Sequence, residues 1–260
     1  MQALILAAGQ GSRLRPLTDH RPKCLVKVQG RPILEYQLEA LCAAGVRECV
    51  IVIGHLAAQV RSTIGTRFRS LSITYVENEI YDRTNNIYSL WLARAKVNDD
   101  VLLIEGDLIF EPELLTDLLD VPFANAAVVD QFQHFMNGTV ILARGDGAEA
   151  MVLKRDQSPG FDYRSALKTV NIYKFSYDVL SDNLMPAMGA CIMHGLTDDY
   201  YEMVIARAVA AGTMQLHVVR TGTRAWAEVD TVEDLADAER MRRWGASRIV
   251  GVATPPTFFH

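Results

Sequence analysis

The sequence has no excess of basic residues: 26 Lys and Arg stand against 31 Asp and Glu, a formal net charge of −5. A protein that neutralises a nucleic-acid backbone needs the opposite balance, so nucleic acid is excluded as the main partner and any basic site must be local. Cysteine is scarce. Cys24, Cys42, Cys49 and Cys191 form no CxxC pair or other metal-ligand spacing and sit among apolar neighbours or in helix-like stretches, so they read as buried thiols. No apolar run approaches the roughly 18 to 20 residues that span a bilayer. The first run, Ala3 to Ala8, follows no positive charge and stops at Gly9. Neither a membrane span nor a signal peptide is expected, and a cytoplasmic location follows. A repeat of fixed period is also missing.

What the chain does have is apolar content and alternation. Half of its 260 residues are hydrophobic, enough to bury a substantial core. Ala3 to Leu6, Glu48 to Ile53, Ser72 to Glu77 and Val101 to Ile104 read as buried strands, separated by helix-like stretches at Ile33 to Ala44, Ala57 to Gly65 and Asn85 to Ala95. Such alternation predicts an α/β fold, a doubly wound and mostly parallel sheet covered on both faces. After Pro122 the rhythm changes. Strands are expected at Ala126 to Asp130, Asn137 to Ala143, Glu149 to Arg155 and Leu167 to Phe175, broken by the turn signals Arg144-Gly145-Asp146-Gly147 and Ser158-Pro159-Gly160, a mixed and β-rich insertion. Helices return at Ser176 to Met188, Tyr200 to Ala211 and Thr231 to Trp244, with a strand at Met214 to Arg220. The expectation is one domain over 1–245, halves at about 1–121 and 122–245, and a tail or linker at 246–260.

Directly after the first strand comes Gly9-Gln10-Gly11-Ser12-Arg13, where a parallel sheet places its ligands. Glycines let backbone amides approach an anion and take positive φ without steric cost. Arg13 can fork onto phosphate oxygens and Lys23 can add a compact charge, so the loop reads as a triphosphate cradle. It is neither a dinucleotide fingerprint, because position 14 is Leu, nor a P-loop, because GxxxxGK[ST] is missing.

The longer series Leu6-Ala7-Ala8-Gly9-x-Gly11-Ser12-Arg13-Leu14-x-Pro16-Leu17-Thr18, followed by Pro22-Lys23, resembles the signature of sugar-nucleotidyltransferase-like enzymes. These join a nucleoside triphosphate to a phosphorylated acceptor and release pyrophosphate on a Rossmann-like nucleotidyltransferase fold. The resemblance implies nucleotide contacts at Leu6, Ala8, Gly9, Gly11 and Ser12, stabilisation of the leaving pyrophosphate by Arg13, and contact of Lys23 with the reacting phosphate. Asp107 closes "VLLIEGD" at the same sheet edge, and "WAEVDTVEDL" supplies Glu228 and Asp230, whose spacing of two puts both on one face of an extended segment. The three acids suit Mg²⁺. Glu105 shares a face with Asp107 and is expected behind the metal rather than on it.

"DRTNNIYSLWLA" and "EGDLIF" resemble bacterial phosphocholine cytidylyltransferases and the related phosphonate cytidylyltransferases. That likeness implies CTP as donor, with Asn85, Asn86 and Ser89 near the base, either reading a cytosine edge or capping the helix. It also places Lys168 beside the acceptor phosphate. The acceptor stays open. A quaternary ammonium would use aromatic faces and acids, for which Tyr88, Trp91, Phe132, Phe135, Tyr173, Asp198, Asp199, Tyr200 and Tyr201 are candidates, whereas Gln131, Gln133, His134 and Lys168 suit a polar or anionic acceptor. A small phosphonate is favoured, with phosphocholine, a sugar 1-phosphate, or a non-catalytic regulatory subunit as alternatives. The chain is expected as a monomer or homodimer.

Overall fold

In the computed structural model, residues 1–241 are described; the expected tail at 246–260, the domain boundary at 245 and the helix end at 244 lie outside the described residues. In chain order the strands are β1 (Gln2–Ala7), β2 (Lys27–Val28), β3 (Arg31–Pro32), β4 (Glu48–Ile53), β5 (Arg67–Phe68), β6 (Leu71–Glu77) and β7 (Val101–Glu105). The second half adds β8 (Leu108–Phe110), β9 (Ala126–Gln131), β10 (Val140–Arg144), β11 (Gly147–Val152), β12 (Ala166–Phe175), β13 (His217–Arg220) and β14 (Trp226–Glu228). The helices are α1 (Ile33–Ala43), α2 (Ala57–Ile64), α3 (Asn86–Leu92), α4 (Glu113–Asp120), α5 (Tyr177–Val179), α6 (Met185–Met193), α7 (Tyr201–Ala210) and α8 (Val232–Arg240).

Strand β1 is buried along its whole length, because β4 and β7 flank it in parallel and helices cover both faces. Successive side chains of a strand point to opposite faces. Ala3, Ile5 and Ala7 therefore join one core with Leu34 and Leu38 of α1, Val60 of α2 and Leu114 of α4. Leu4 and Leu6 join the opposite core with Ile87 and Leu90 of α3, Met188 of α6 and Val204 of α7. This is the doubly wound arrangement expected from the alternation.

The β-rich second half continues the same ten-stranded sheet, entered where β12 pairs antiparallel with β7. Within it β13, β9, β12, β10 and β11 pair in turn, and Gly147 of β11 meets His217 of β13, so these five strands close on themselves. Strand β12 carries a register shift between Thr169 and Tyr173, where Asn171 takes a left-handed φ of 60°. Asparagine tolerates that conformation better than most residues. Cys24 and Cys49 are buried as expected, but Cys42 and Cys191 are only partly buried. No helix among the described residues is long and apolar enough to cross a membrane.

A third, smaller core joins parts of the chain that the sequence keeps far apart. Leu14 of the glycine loop, Val26, Val28, Ile33 and Tyr36 pack with Ile109 of β8, Val229 and Ala238 of α8. The hydrophobic burial of this cluster fixes the loop against the β8–β14 ladder. Leu14 is fully buried, so Leu14→Ala removes packing and leaves a cavity; we expect a loss of about 2–5 kcal/mol in urea unfolding, and a loss below about 1 kcal/mol would mean the cluster does not clamp the loop.

Candidate active site

A cleft of about 1440 Å³ opens over the carboxyl ends of β1 and β7. The residues expected to contact nucleotide phosphates, base, metal and acceptor phosphate line it: Leu6, Ala8, Gly9, Gly11, Ser12, Arg13, Lys23, Asn85, Asn86, Ser89, Asp107, Lys168, Glu228 and Asp230, whereas most of the acceptor head-group candidates do not.

The glycine loop is shaped by its own backbone. Gly11 sits at φ 63°, the amide of Leu14 donates to the Gly11 carbonyl at 2.9 Å, and the Thr18 hydroxyl donates to the same oxygen at 2.8 Å. A Cβ at Gly11 would stand 3.0 Å from the Cβ of Lys23, so only glycine lets the lysine come this close in that conformation. Lys23 then reaches across the cleft. Its Nζ donates to Asp107 Oδ2 and to Asp230 Oδ1, each at 2.5 Å, while Arg13 pairs with Asp230 Oδ2 at 2.8 Å. Burial pushes the Lys23 ammonium toward a lower pKa, but Asp107 and Asp230 outweigh it and hold the group above its ordinary value. Burial likewise pushes Asp230 upward, and Lys23 and Arg13 overcome it, leaving that carboxyl below its ordinary value.

Each acid is aimed by its element. The side chain of Gln37, fully buried on α1, donates to the carbonyls of Glu105 at 2.9 Å and Leu108 at 2.7 Å, which fixes the turn carrying Asp107. A Cβ at Gly106 would lie 2.7 Å from the Leu6 carbonyl, so this turn packs directly on the end of β1. Glu228 ends β14, opposite Leu108 of β8, and the Val229 amide donates to the Asp107 carbonyl at 3.0 Å. Asp230 precedes α8, whose N-cap is Thr231 in a capping box with Asp234. It is thus free of capping duty.

Carboxylate oxygens of Asp107, Glu228 and Asp230 lie within 4.8 Å of one another, and Asp107 Oδ1 is buried without a hydrogen-bond partner. An orphaned buried carboxylate oxygen beside two further acids fits a hard divalent cation such as Mg²⁺. Glu228 also meets Lys168 at 3.6 Å, and Lys168, only 3% exposed, donates to the Thr169 carbonyl at 2.7 Å. Burial raises the Glu228 carboxyl to about 7; Lys168 opposes the rise, and Asp107 and Asp230 add to it.

Beneath this cluster lies a second acidic pair that the sequence reading did not assemble. Asn86 Nδ2 donates to Glu105 Oε1 at 3.1 Å and to Glu202 Oε2 at 3.3 Å, and Asn86 Oδ1 accepts from the Tyr201 amide at 2.9 Å. Burial holds both carboxyls above their ordinary values. Asn86 is therefore held within the protein at both ends of its amide. Asn85 caps α3, its side chain accepting from the Asn86 amide at 2.8 Å. Ser89 is buried and accepts from Asn78 at 3.1 Å. Of the aromatic candidates, only Phe135 and Tyr200 line the cleft; Tyr88 packs on Trp91, Phe132 stacks on Tyr163, and Tyr173 and Tyr201 are core residues. Asp199 is held by Arg155 in a two-pronged ion pair at 2.7 and 3.2 Å. Glu202 escaped the sequence reading because an acid in the first turn of α7 looks like a helix-dipole residue. Trp226, which donates to Asp130 at 2.7 Å, was hidden in the same stretch as Glu228.

A doubly wound sheet whose strand ends carry a glycine loop, a buried lysine and an acidic triad over one cleft defines a nucleotide-handling α/β domain. The chain belongs to the MobA-like NTP transferase domain family, which matches residues 3–248. It is 38% identical over 240 residues to the CMP-5'-(3-aminopropyl)phosphonate synthase of Streptomyces rubellomurinus, covering 92% of this chain and 38% of that protein. To the choline-phosphate cytidylyltransferase of Streptococcus pneumoniae it is 36% identical over 121 residues, 45% of this chain and 50% of that one. The chain thus spans half or less of the length of these two relatives. Among solved structures it resembles the CTP:phosphocholine cytidylyltransferase of Streptococcus pneumoniae (TM-score 0.74, 24% identity, 92% of this chain and 97% of that chain). It also resembles the inositol-1-phosphate CTP transferase of T. maritima (TM-score 0.70, 22% identity, 92% and 96%).

Removing the Lys23 charge leaves two buried acids uncompensated, a loss of roughly 3–5 kcal/mol when one partner of a buried pair is deleted. Lys23→Met is expected to melt at a lower temperature than the parent and to be raised more by Mg²⁺ without nucleotide, in a thermal-shift titration. Equal Mg²⁺ shifts in both proteins would contradict the reading that lysine and metal compete for the same oxygens.

Proposed function

We propose that this domain transfers CMP from CTP to a small phosphonate and releases pyrophosphate, with Mg²⁺ as the metal. The observation that carries the reading is Lys23 bridging Asp107 and Asp230 at 2.5 Å, beside the unpartnered Asp107 Oδ1 and the Lys168–Glu228 pair. The family match supports nucleotidyl transfer, and the likeness to relatives named for cytidylyl transfer supports CTP as donor. The greater coverage of this chain by the aminopropylphosphonate relative favours a phosphonate over phosphocholine.

In the proposed reaction a phosphonate oxygen of the acceptor attacks the α-phosphorus of CTP. The new P–O bond forms as the bond to the β-phosphate oxygen breaks, and pyrophosphate departs with the electron pair. The acceptor oxygen is already ionised, so no general base is needed, and alignment with charge neutralisation supplies the rate. Arg13, 63% exposed at its side chain, is free to swing onto the leaving pyrophosphate. Lys23 is the cation placed to hold the reacting phosphate, and Lys168, 3.6 Å from Glu228, holds the acceptor phosphonate. Asp107, Glu228 and Asp230 would hold the metal. Mg²⁺, when bound, neutralises phosphate oxygens during transfer.

Mixing the protein with CTP, Mg²⁺ and 2-aminoethylphosphonate, 3-aminopropylphosphonate, phosphonoformate or phosphocholine is expected to release pyrophosphate with at least one phosphonate, and CTP is expected to outperform ATP, GTP and UTP. Asp107→Asn is expected to lower kcat by about 100-fold or more, the scale of one lost transition-state charge contact. Turnover unchanged by Asp107→Asn at saturating Mg²⁺ would remove the acidic triad from the mechanism.

A further inference from the structure

We propose that the acceptor is a zwitterion whose primary ammonium is read by Glu202, with Asn86 as the positioning residue that fixes the carboxylate. The proposal rests on the transfer reading above and names the class of acceptor.

Among the carboxylates that line the cleft are Glu105, Asp107, Glu202, Glu228 and Asp230. Asp107 and Asp230 share Lys23, and Glu228 meets Lys168. Glu105 and Glu202 have no ion-pair partner among the described residues, although Glu202 is only 5% exposed. A buried carboxylate is costly unless it is paired and hydrogen-bonded. Here two of them are tied to one amide nitrogen, that of Asn86, which cannot turn away because its oxygen is taken by the Tyr201 amide. The Tyr201 hydroxyl, fully buried against Glu105, completes no hydrogen bond of ordinary geometry. The two carboxyls therefore share one neutral donor, with no cation in ion-pair contact among the described residues.

The missing charge fits an ammonium better than a second metal. The metal-competent group comprises Asp107, Glu228 and Asp230 and leaves out Glu105 and Glu202, and the Asn86 donor points its hydrogens at the same two carboxylates. A primary ammonium brings three N–H donors and a full charge; a trimethylammonium brings none of the donors. Lys168 is close enough to act electrostatically on Glu202 while contacting Glu228. A phosphonate held at Lys168 thus leaves the amine of a two- or three-carbon chain on the Glu202 side.

The test compares 3-aminopropylphosphonate with propylphosphonate in pyrophosphate release, for the full chain and for Glu202→Gln. The parent is expected to favour the amine in kcat/KM by about tenfold or more, roughly 1.4 kcal/mol. Glu202→Gln is expected to erase that preference while the propylphosphonate rate and the KM for CTP stay within about twofold. Retained propylphosphonate turnover also shows that the variant folds. Calorimetric titration of the parent with both phosphonates in the presence of CMP gives the same comparison without a variant. Equal treatment of the two phosphonates by the parent overturns the proposal with the transfer reading intact. A Glu202→Gln variant that weakens CTP and both acceptors alike overturns it too, because Glu202 then does not discriminate the ammonium. No pyrophosphate from any acceptor overturns the transfer reading, and this proposal with it.

Discussion

One ammonium group, held between two carboxylates that the chain brings in from 84 and 207 residues away, sets the geometry of the whole cleft. Lys23 is 14% exposed at its side chain, so its charge is largely taken out of water and depends on Asp107 and Asp230 for compensation. Ion pairs of this kind add little net stability, because desolvation offsets the attraction. Their value here is register. The glycine loop, the β7 turn and the approach to α8 can satisfy this lysine together in one arrangement only, and the apolar cluster around Leu14 holds them in it.

The same sheet serves two chemistries because its two halves are built differently. The parallel half, β6, β4, β1 and β7, ends its strands at one edge and leaves backbone amides and short loops there. The half that closes on itself places side chains rather than strand ends at the cleft, among them Lys168 just before the β12 register shift and Asn171 within it. Asp107 lies on the turn that follows β7, and Glu228 belongs to the β8–β14 ladder that crosses from one half to the other. The groups proposed to hold the nucleotide phosphates thus meet those proposed to hold the acceptor at that junction.

Much of this was legible in the sequence where local rules suffice. Strands β1, β4 and β7 are short apolar runs, and the burial of each follows from composition alone. The glycine loop and Lys23 were legible because both the φ demand and the charge are local. Asp107 and Asp230 were legible as acids at the ends of apolar or extended segments. Longer-range features were not. The short strand β8 and its pairing with β14 depend on contacts more than a hundred residues apart, and α4, though amphipathic with Leu114, Leu115 and Leu118 inward, was passed over between two strand signals. The closure of β11 onto β13 leaves no trace in either strand's pattern. Asn86 looked like a polar surface for a base, but its partners, Glu105 and Glu202, come from separate strands and helices that only the fold brings together.

The most direct measurement of the central claim is a crystal structure of the protein with CTP and Mg²⁺. The triphosphate is expected along the loop from Gly9 to Arg13, its reacting phosphate on Lys23, and the metal on Asp107 with Glu228 or Asp230. A triphosphate bound away from that loop, with Lys23 still bridging Asp107 and Asp230, would contradict that claim.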